Sequence, residues 1–269
     1  MGHALAAASR FSRAGISSLL THLGENVTDR VEAQAETQRY LQLLDRIHQA
    51  GLPSEISIKL TQLGLDIDTD FCFANLLALA EHSPDKTIWI DMEQSRYVDA
   101  TLALHARARK THAHVGVCVQ AYLRRTAKDV ESLTAMGASV RLVKGAYSEP
   151  PEIAFAKKRD VDENYFRLAQ SLLSSPARQA GVRGVMATHD GNLIARIAEW
   201  ASADGIEKNQ LEFAMLYGIQ RREQFRLARA GYRSGVLISF GSFWFPWFMR
   251  RLAERPANIL FLARNLFAA

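Results

Sequence analysis

The stretch GVMATHDGNLIARIAEWASADGIEKNQLEFAMLYG, residues 184–218, decides the fold. Its first part, GVMATHD (184–190), is a short apolar run that ends in hydrogen-bonding residues. An amphipathic segment, DGNLIARIAEWASADG (190–205), follows. LEFAMLYG (211–218) is then short and apolar again. Strands that are apolar on both faces belong to parallel sheets covered by helices, so the stretch reads as strand, crossover helix, parallel strand.

The same unit recurs along the chain. ISSLLTHL (16–23), EISIKLTQLG (55–64), TIWIDME (87–93), HVGVCVQ (114–120), SVRLVKGAY (139–147) and GVLISFGS (235–242) bring the strand candidates to eight. They start roughly 25 to 45 residues apart, the length a βα unit needs. ETQRYLQLLDRIHQAG (36–51) is a second clear amphipathic helix. Eight such units in 269 residues give the α/β class and predict a (β/α)8 TIM barrel, one domain over residues 1–269. A doubly wound open sheet is the alternative, since counting strands does not show closure. No linker or low-complexity tract interrupts the pattern. Beyond the last strand, FWFPWFMRRLAERPANILFLARNLF (243–267) departs from it. Pro246 suits a helix start and Arg255-Pro256 a stop, which predicts a short eighth helix carrying Arg250, Arg251 and Glu254. A final helix is expected from about Asn258.

Composition narrows the partners. At 48% hydrophobic the chain can bury a large core. Its 33 basic and 28 acidic residues leave a net charge of +5 and a pI near 9.3. The excess is mild and unclustered, which argues against a nucleic-acid arm and leaves phosphate, carboxylate or an anionic membrane surface. Cys72 and Cys118 sit in apolar surroundings and suit a reduced compartment. The start, MGHALAAASRFSRAG, lacks the apolar core of a signal peptide, and its first three residues read equally as a native start or a tag remnant. No run of about 18 apolar residues predicts a membrane span.

Barrel active sites form at the carboxyl ends of the strands. Lys59, Asp91, Glu93, Gln120, Arg141, Lys144, Thr188, His189 and Asp190 all fall there. RLVKGAY (141–147) is the sharpest case, a strand with two full positive charges. Burying an unpartnered charge costs several kcal/mol, so charges converging from several strands point to a polar ligand. The plainer alternative is an internal pair such as Lys59 with Asp91. His189, Asp190 and Asp91 raise a divalent ion, but no ligand spacing supports one, and no metal is assigned. Lys59 and Lys144 raise a Schiff-base lysine, which needs a depressed pKa that sequence does not reveal. No Gly-rich dinucleotide fingerprint and no GxSxG motif is present. Arg250 and Arg251 point about 100° apart on a helix, so both reach one ligand only from a helix lying across the site. Arginine forks match a carboxylate, and Glu254 is spaced to pair with Arg250. The aromatic run at 243–248 suits either core or a pocket wall.

On LLTHLGENV (19–27), EISIKLTQLG, DMEQS (91–95), VQAYLRRT (119–126), RLVKGAY, ATHD (187–190), LYG (216–218) and RRLAERPAN (250–258), the chain resembles the proline dehydrogenase family. The match runs in order over nearly the whole chain, in the form without further domains. It implies FAD held non-covalently over a distorted (β/α)8 barrel. Arg141 would then sit near flavin N5, Lys144 by the phosphates or ribityl chain, and Gln120 against the ring. Val143, Gly145 and Ala146 would present backbone, and Thr188, His189 and Glu254 would meet the adenosine half.

The resemblance also implies a substrate carboxylate gripped by Lys59, Arg250 and Arg251. Asp91 would orient Lys59, Glu25 would pair with Arg250 as a gate, and Tyr147 and Leu216 would line the pocket. The implied reaction is hydride transfer from proline C5 to flavin N5, giving 1-pyrroline-5-carboxylate, with electrons passed to a quinone. A cytoplasmic location with peripheral contact at the inner membrane is the matching expectation. Two positions depart from the family pattern: Leu237 on strand eight and Trp247 on the eighth helix replace tyrosines, and Phe240 stands where some relatives have a third. These changes leave open hydroxyproline or another cyclic secondary amine as substrate, and a barrel that binds without turnover.

Overall fold

The apolar runs become parallel strands because each is covered twice, by its neighbours' interior side chains and by an outer helix. A computed structural model describes residues 1–241. Its strands are β1 (Ser17–His22), β2 (Ser54–Ile58), β3 (Ile88–Ile90), β4 (Val115–Gln120), β5 (Ser139–Val143), β6 (Arg183–Ala187), β7 (Glu212–Leu216) and β8 (Arg233–Phe240). All eight pair in parallel in chain order, and β1 closes on β8 from Ser17↔Gly235 to His22↔Phe240. The sheet is therefore a closed barrel, and the open-sheet alternative falls.

Alternate strand residues split the core into two layers. Leu20, Ile56, Ile58, Ile88, Ile90, Val115 and Val117 face the helices. Leu19, Trp89, Val185 and Ala214 cluster separately, with Leu237 and Ala187 packed on them. The indole of Trp89 is fully buried. Gly116 leaves room for it, since a Cβ there would sit 2.8 Å from the ring. Trp89 Nε1 donates to Glu55 at 2.7 Å, and Arg183 bonds Glu55 at 2.6 Å and Glu212 at 2.7 Å. This paired network lies at the amino ends of β2, β6 and β7 and closes the barrel from below.

The outer helices include α1 (Gly2–Ser12), α2 (Arg30–Gln49), α3 (Thr69–His82), α4 (Val98–Arg109), α5 (Thr126–Ala135), α6 (Lys158–Leu173), α7 (Ser175–Gln179), α8 (Gly191–Ala203) and α9 (Arg221–Arg229). Helix α1 precedes the first of the eight repeating units. Its Ala4, Ala7, Ala8 and Phe11 are buried. It packs on both β1 and β8, and Phe11 stacks on Phe225 of α9 at 5.9 Å. It thus covers the seam between β8 and β1, where a regular barrel would lay the helix that follows its last strand. The predicted eighth helix and the final helix lie outside the described residues. No described helix is long and apolar enough to cross a membrane. Cys72 and Cys118 are buried and unpaired with each other.

Candidate active site

Three strands bring charge to the carboxyl end of the barrel. Lys59 directly follows β2, Asp91 directly follows β3, and Arg141 sits inside β5. Asp91 N–H donates to Ile58 O at 2.8 Å, which carries the strand pairing up to the carboxylate. The Asp91 carboxylate accepts from Ser57 Oγ at 2.7 Å, from Lys59 Nζ at 3.4 Å, and from Arg141 Nη2. Arg141 Nη2 also donates to Ser57 Oγ at 2.9 Å. Lys59 and Arg141 are only 6% and 4% exposed, so each needs its counter-charge. Burial opposes ionisation of Asp91, but Lys59, Arg141 and Ser57 outweigh it and hold the carboxyl below its usual range. The internal Lys59–Asp91 pair expected as the plainer alternative is present. It leaves the site incomplete, however: Arg141 Nη1 is buried without a partner among the described residues.

The neighbouring strand offers a matching acceptor. Gln120 ends β4 and faces Val143 in register. Its Nε2 donates to Glu93 O at 3.2 Å, while its Oε1 is buried and unpartnered among the described residues. Val143, Lys144, Gly145 and Ala146 continue half-buried from β5 towards Tyr147. Gly145 has φ +111°, and a Cβ there would lie 2.1 Å from the Tyr122 ring. The approach that demands glycine is therefore made by Tyr122. Lys144 Nζ bonds Asp162 at 2.6 Å and Asp190 at 2.7 Å, and Lys158 shares both carboxylates. Two cations face two carboxylates, so the positive charge expected at Lys144 is balanced within the protein.

Thr188 and His189 follow β6. Thr188 Oγ1 accepts from Asp190 N–H at 3.1 Å, and His189 Nε2 accepts from Leu216 N–H at 2.9 Å. Burial, helped by the charge of Lys144, lowers the His189 pKa to about 4, so the ring is neutral near pH 7. On the far side, Thr21 of β1 and Ser239 of β8 stand in register nearest the carboxyl end, and Thr21 Oγ1 is buried without a partner among the described residues. Leu216, Leu237 and Leu19 stand in register across β7, β8 and β1. Leu237, the departure from the family's tyrosine, packs on the interior cluster. Glu25 lies half-buried in the loop after β1. Trp247, Arg250, Arg251 and Glu254 lie outside the described residues.

Sequence reading named Glu93 only as one rim charge. It is 3% exposed, and both carboxylate oxygens accept from Thr61, at 3.2 Å from N–H and 2.7 Å from Oγ1. The available signal was its spacing: two residues beyond Asp91 on an extended chain puts it on the same side.

A family model described as Proline dehydrogenase matches residues 4–264. Proline dehydrogenase 2 of Bacillus subtilis (strain 168) is 38% identical over 254 residues, covering 94% of this chain and 82% of the relative. Proline dehydrogenase 1 of the same strain is 34% identical over 259 residues, covering 96% and 84%. Proline dehydrogenase of Deinococcus radiodurans is 34% identical over 270 residues, covering 98% and 86%. Among solved structures, proline utilization A from Bdellovibrio bacteriovorus, inactivated by N-propargylglycine, aligns with TM-score 0.84 at 24% identity. Proline utilization A from Corynebacterium freiburgense aligns with TM-score 0.77 at 22% identity. The alignments cover 92% and 94% of this chain but 31% and 30% of those chains, and they speak to the fold.

Proposed function

The chain belongs to the proline dehydrogenase family, and from that premise we propose that it oxidises L-proline to 1-pyrroline-5-carboxylate with FAD as cofactor. The observation that carries this reading is the pair of orphaned atoms on adjacent strands, Arg141 Nη1 and Gln120 Oε1. One is a charged donor and the other an acceptor, both are buried, and a planar ring with alternating acceptors and N–H groups fits them. A bound flavin supplies the two-electron acceptor for hydride leaving the substrate ring.

The chain's own residues supply position and field. Lys59 binds the substrate carboxylate, with Arg250 and Arg251 as further cations in the proposal. Asp91 orients Lys59 and Arg141 together, so substrate and cofactor sites share one anchor. Arg141 offers positive charge where electron density arrives. Glu25 closes over the substrate, Tyr147 and Leu216 line it, and Val143, Gly145 and Ala146 lend backbone to the cofactor. Thr188, His189 and Glu254 are assigned to its adenosine half, and Lys144 to its phosphates or ribityl chain. A phosphate reaching Lys144 exchanges with Asp162 or Asp190. Leu216 and Leu237 favour an unsubstituted ring, because a ring hydroxyl set against them would be buried without a partner. Proline is accordingly preferred to hydroxyproline.

We read residues 1–269 as one barrel domain, which the extent of the family match supports. Electrons pass to a quinone, from a cytoplasmic protein touching the inner membrane peripherally; this part rests on the resemblance alone. The deciding experiment is anaerobic titration of the FAD-loaded protein. L-proline is expected to bleach the flavin absorbance, and 4-hydroxyproline to do so far less efficiently. A loaded protein that proline leaves yellow sinks the reading. A short-chain quinone should then restore the colour.

A further inference from the structure

Glu93 is a buried carboxyl to which the proposed chemistry gives no task. Both its oxygens are spent on one residue, Thr61, which is itself fully buried in the loop after β2. Thr61 in turn holds the loop after β1. Its Oγ1 accepts from Asn26 N–H at 3.0 Å, and its carbonyl accepts from Val27 N–H at 3.1 Å. Asn26 adopts a left-handed backbone, φ +56°, which asparagine tolerates better than other non-glycine residues. Glu25 is the residue immediately before it.

The direction of these bonds gives Glu93 its leverage. A hydroxyl has one proton. While Glu93 is ionised, the Thr61 proton points to Oε2, and a lone pair is left for Asn26 N–H. Glu93 also accepts Gln120 at its backbone carbonyl, so its strand position is tied to the proposed cofactor side as well.

We propose that Glu93 is a positioning residue that sets the place of Glu25 through Thr61, and so governs how tightly the site closes on its substrate. This rests on the reading of Glu25 as part of the substrate site. Charged and titratable groups facing Glu93 come from several elements. Lys59 after β2 and Glu25 after β1 act on its carboxyl, and Cys72 on α3 and Tyr97 before α4 sense its charge. Burial pushes the Glu93 pKa up to about 7, against the pull of Thr61 and Lys59. A proton on Oε2 would turn that oxygen into a donor and leave the Thr61 hydroxyl proton without its acceptor.

The test uses the full-length FAD-loaded protein and the variants Glu93→Gln, Thr61→Val, Thr61→Ser and Glu25→Ala. Amide exchange is followed in the peptide spanning residues 24–28. Glu93→Gln and Thr61→Val are expected to speed that exchange, while Thr61→Ser, which keeps the hydroxyl, retains protection. The KM for L-proline should rise up to about tenfold in Glu93→Gln and Thr61→Val with kcat little changed, the size set by one or two lost hydrogen bonds. A merely structural role would lower the active fraction and kcat instead. The double variant Glu25→Ala/Glu93→Gln should show the KM of Glu25→Ala alone. Unchanged exchange in both Glu93→Gln and Thr61→Val overturns the proposal, as do independent, multiplying effects in the double variant. A protein that turns over no proline refutes the proposed function instead, and the exchange measurement still decides the role of Glu93.

Discussion

Asp91 answers two cations at once, and the consequences of changing its partners differ. Arg141→Met removes the guanidinium but leaves Lys59 to balance Asp91. Proline binding should then survive while proline-driven flavin bleaching slows by about tenfold or more, as loss of one charged donor at a reacting centre does. Stopped-flow reduction across proline concentrations separates the two effects, and an unchanged limiting rate removes Arg141 from the chemistry. Glu93 carries a pH signature. Its folded-state pKa is raised from 4.5 to about 7 by burial. The folded form therefore holds the proton more tightly, and that stabilisation, complete below about 4.5, is lost as pH rises through about 7. Thermal midpoints of wild type and Glu93→Gln should accordingly diverge between pH 5 and 8, with the wild type losing ground as pH rises. Lys59, Asp91, Arg141 and Gln120 were legible as polar residues on otherwise buried strands. The partners of Lys144 were not. Asp162 and Asp190 lie 18 and 46 residues away, and only the closed fold brings them to one point.

Among the elements, helix α1 is held to the barrel by four buried residues, Ala4, Ala7, Ala8 and Phe11. Phe11 touches Phe225 and, edge-on at 6.0 Å, Tyr217. Phe11→Ala should cost about 3–5 kcal/mol, the usual loss for a buried aromatic. Urea unfolding followed by circular dichroism measures it, and a loss under about 1 kcal/mol would mean α1 is only loosely laid on the seam. All eight strands were legible from apolar runs, yet several were read too long. EISIKLTQLG leaves the ladder after Ile58, and SVRLVKGAY leaves it after Val143. Beyond those points Thr61 bonds Glu93 and the loop after β1, and Lys144 bonds Asp162 and Asp190. The alanine-rich start, GHALAAASRFS, has strong helix propensity. A helix before the first strand has no place in a repeating βα pattern, so periodicity alone does not call for one.

Across the whole molecule the barrel interior is divided. Lys59 after β2, Asp91 after β3 and Arg141 on β5 bring charge, while β7 and β8 supply Leu216 and Leu237. That division matches a ligand with one anionic edge and one hydrocarbon edge. The protein as a whole should also be acid-sensitive. Burial lowers the pKa of His105 in α4 and of His189 to about 4, from 6.5. Groups depressed in this way contribute stability that is whole above 6.5 and is lost as pH falls towards about 4. Arg109 adds to the effect on His105, and Lys144 to that on His189. His105→Leu should therefore raise the thermal midpoint more at pH 5 than at pH 8, and an equal change at both would show that the ring does not titrate on unfolding.

The Trp89 indole lies between the guanidinium groups of Arg141 and Arg183, 5.4 and 5.3 Å from its ring, and with Glu55 and Glu212 it stoppers one end of the barrel. That end of the interior is thus closed, the proposed site lies at the opposite rim, and orientation matters whenever the molecule is fixed to a solid support. A linker coupled to the loops that precede the strands leaves the doorway facing the solution. One coupled to the opposite rim turns it to the wall.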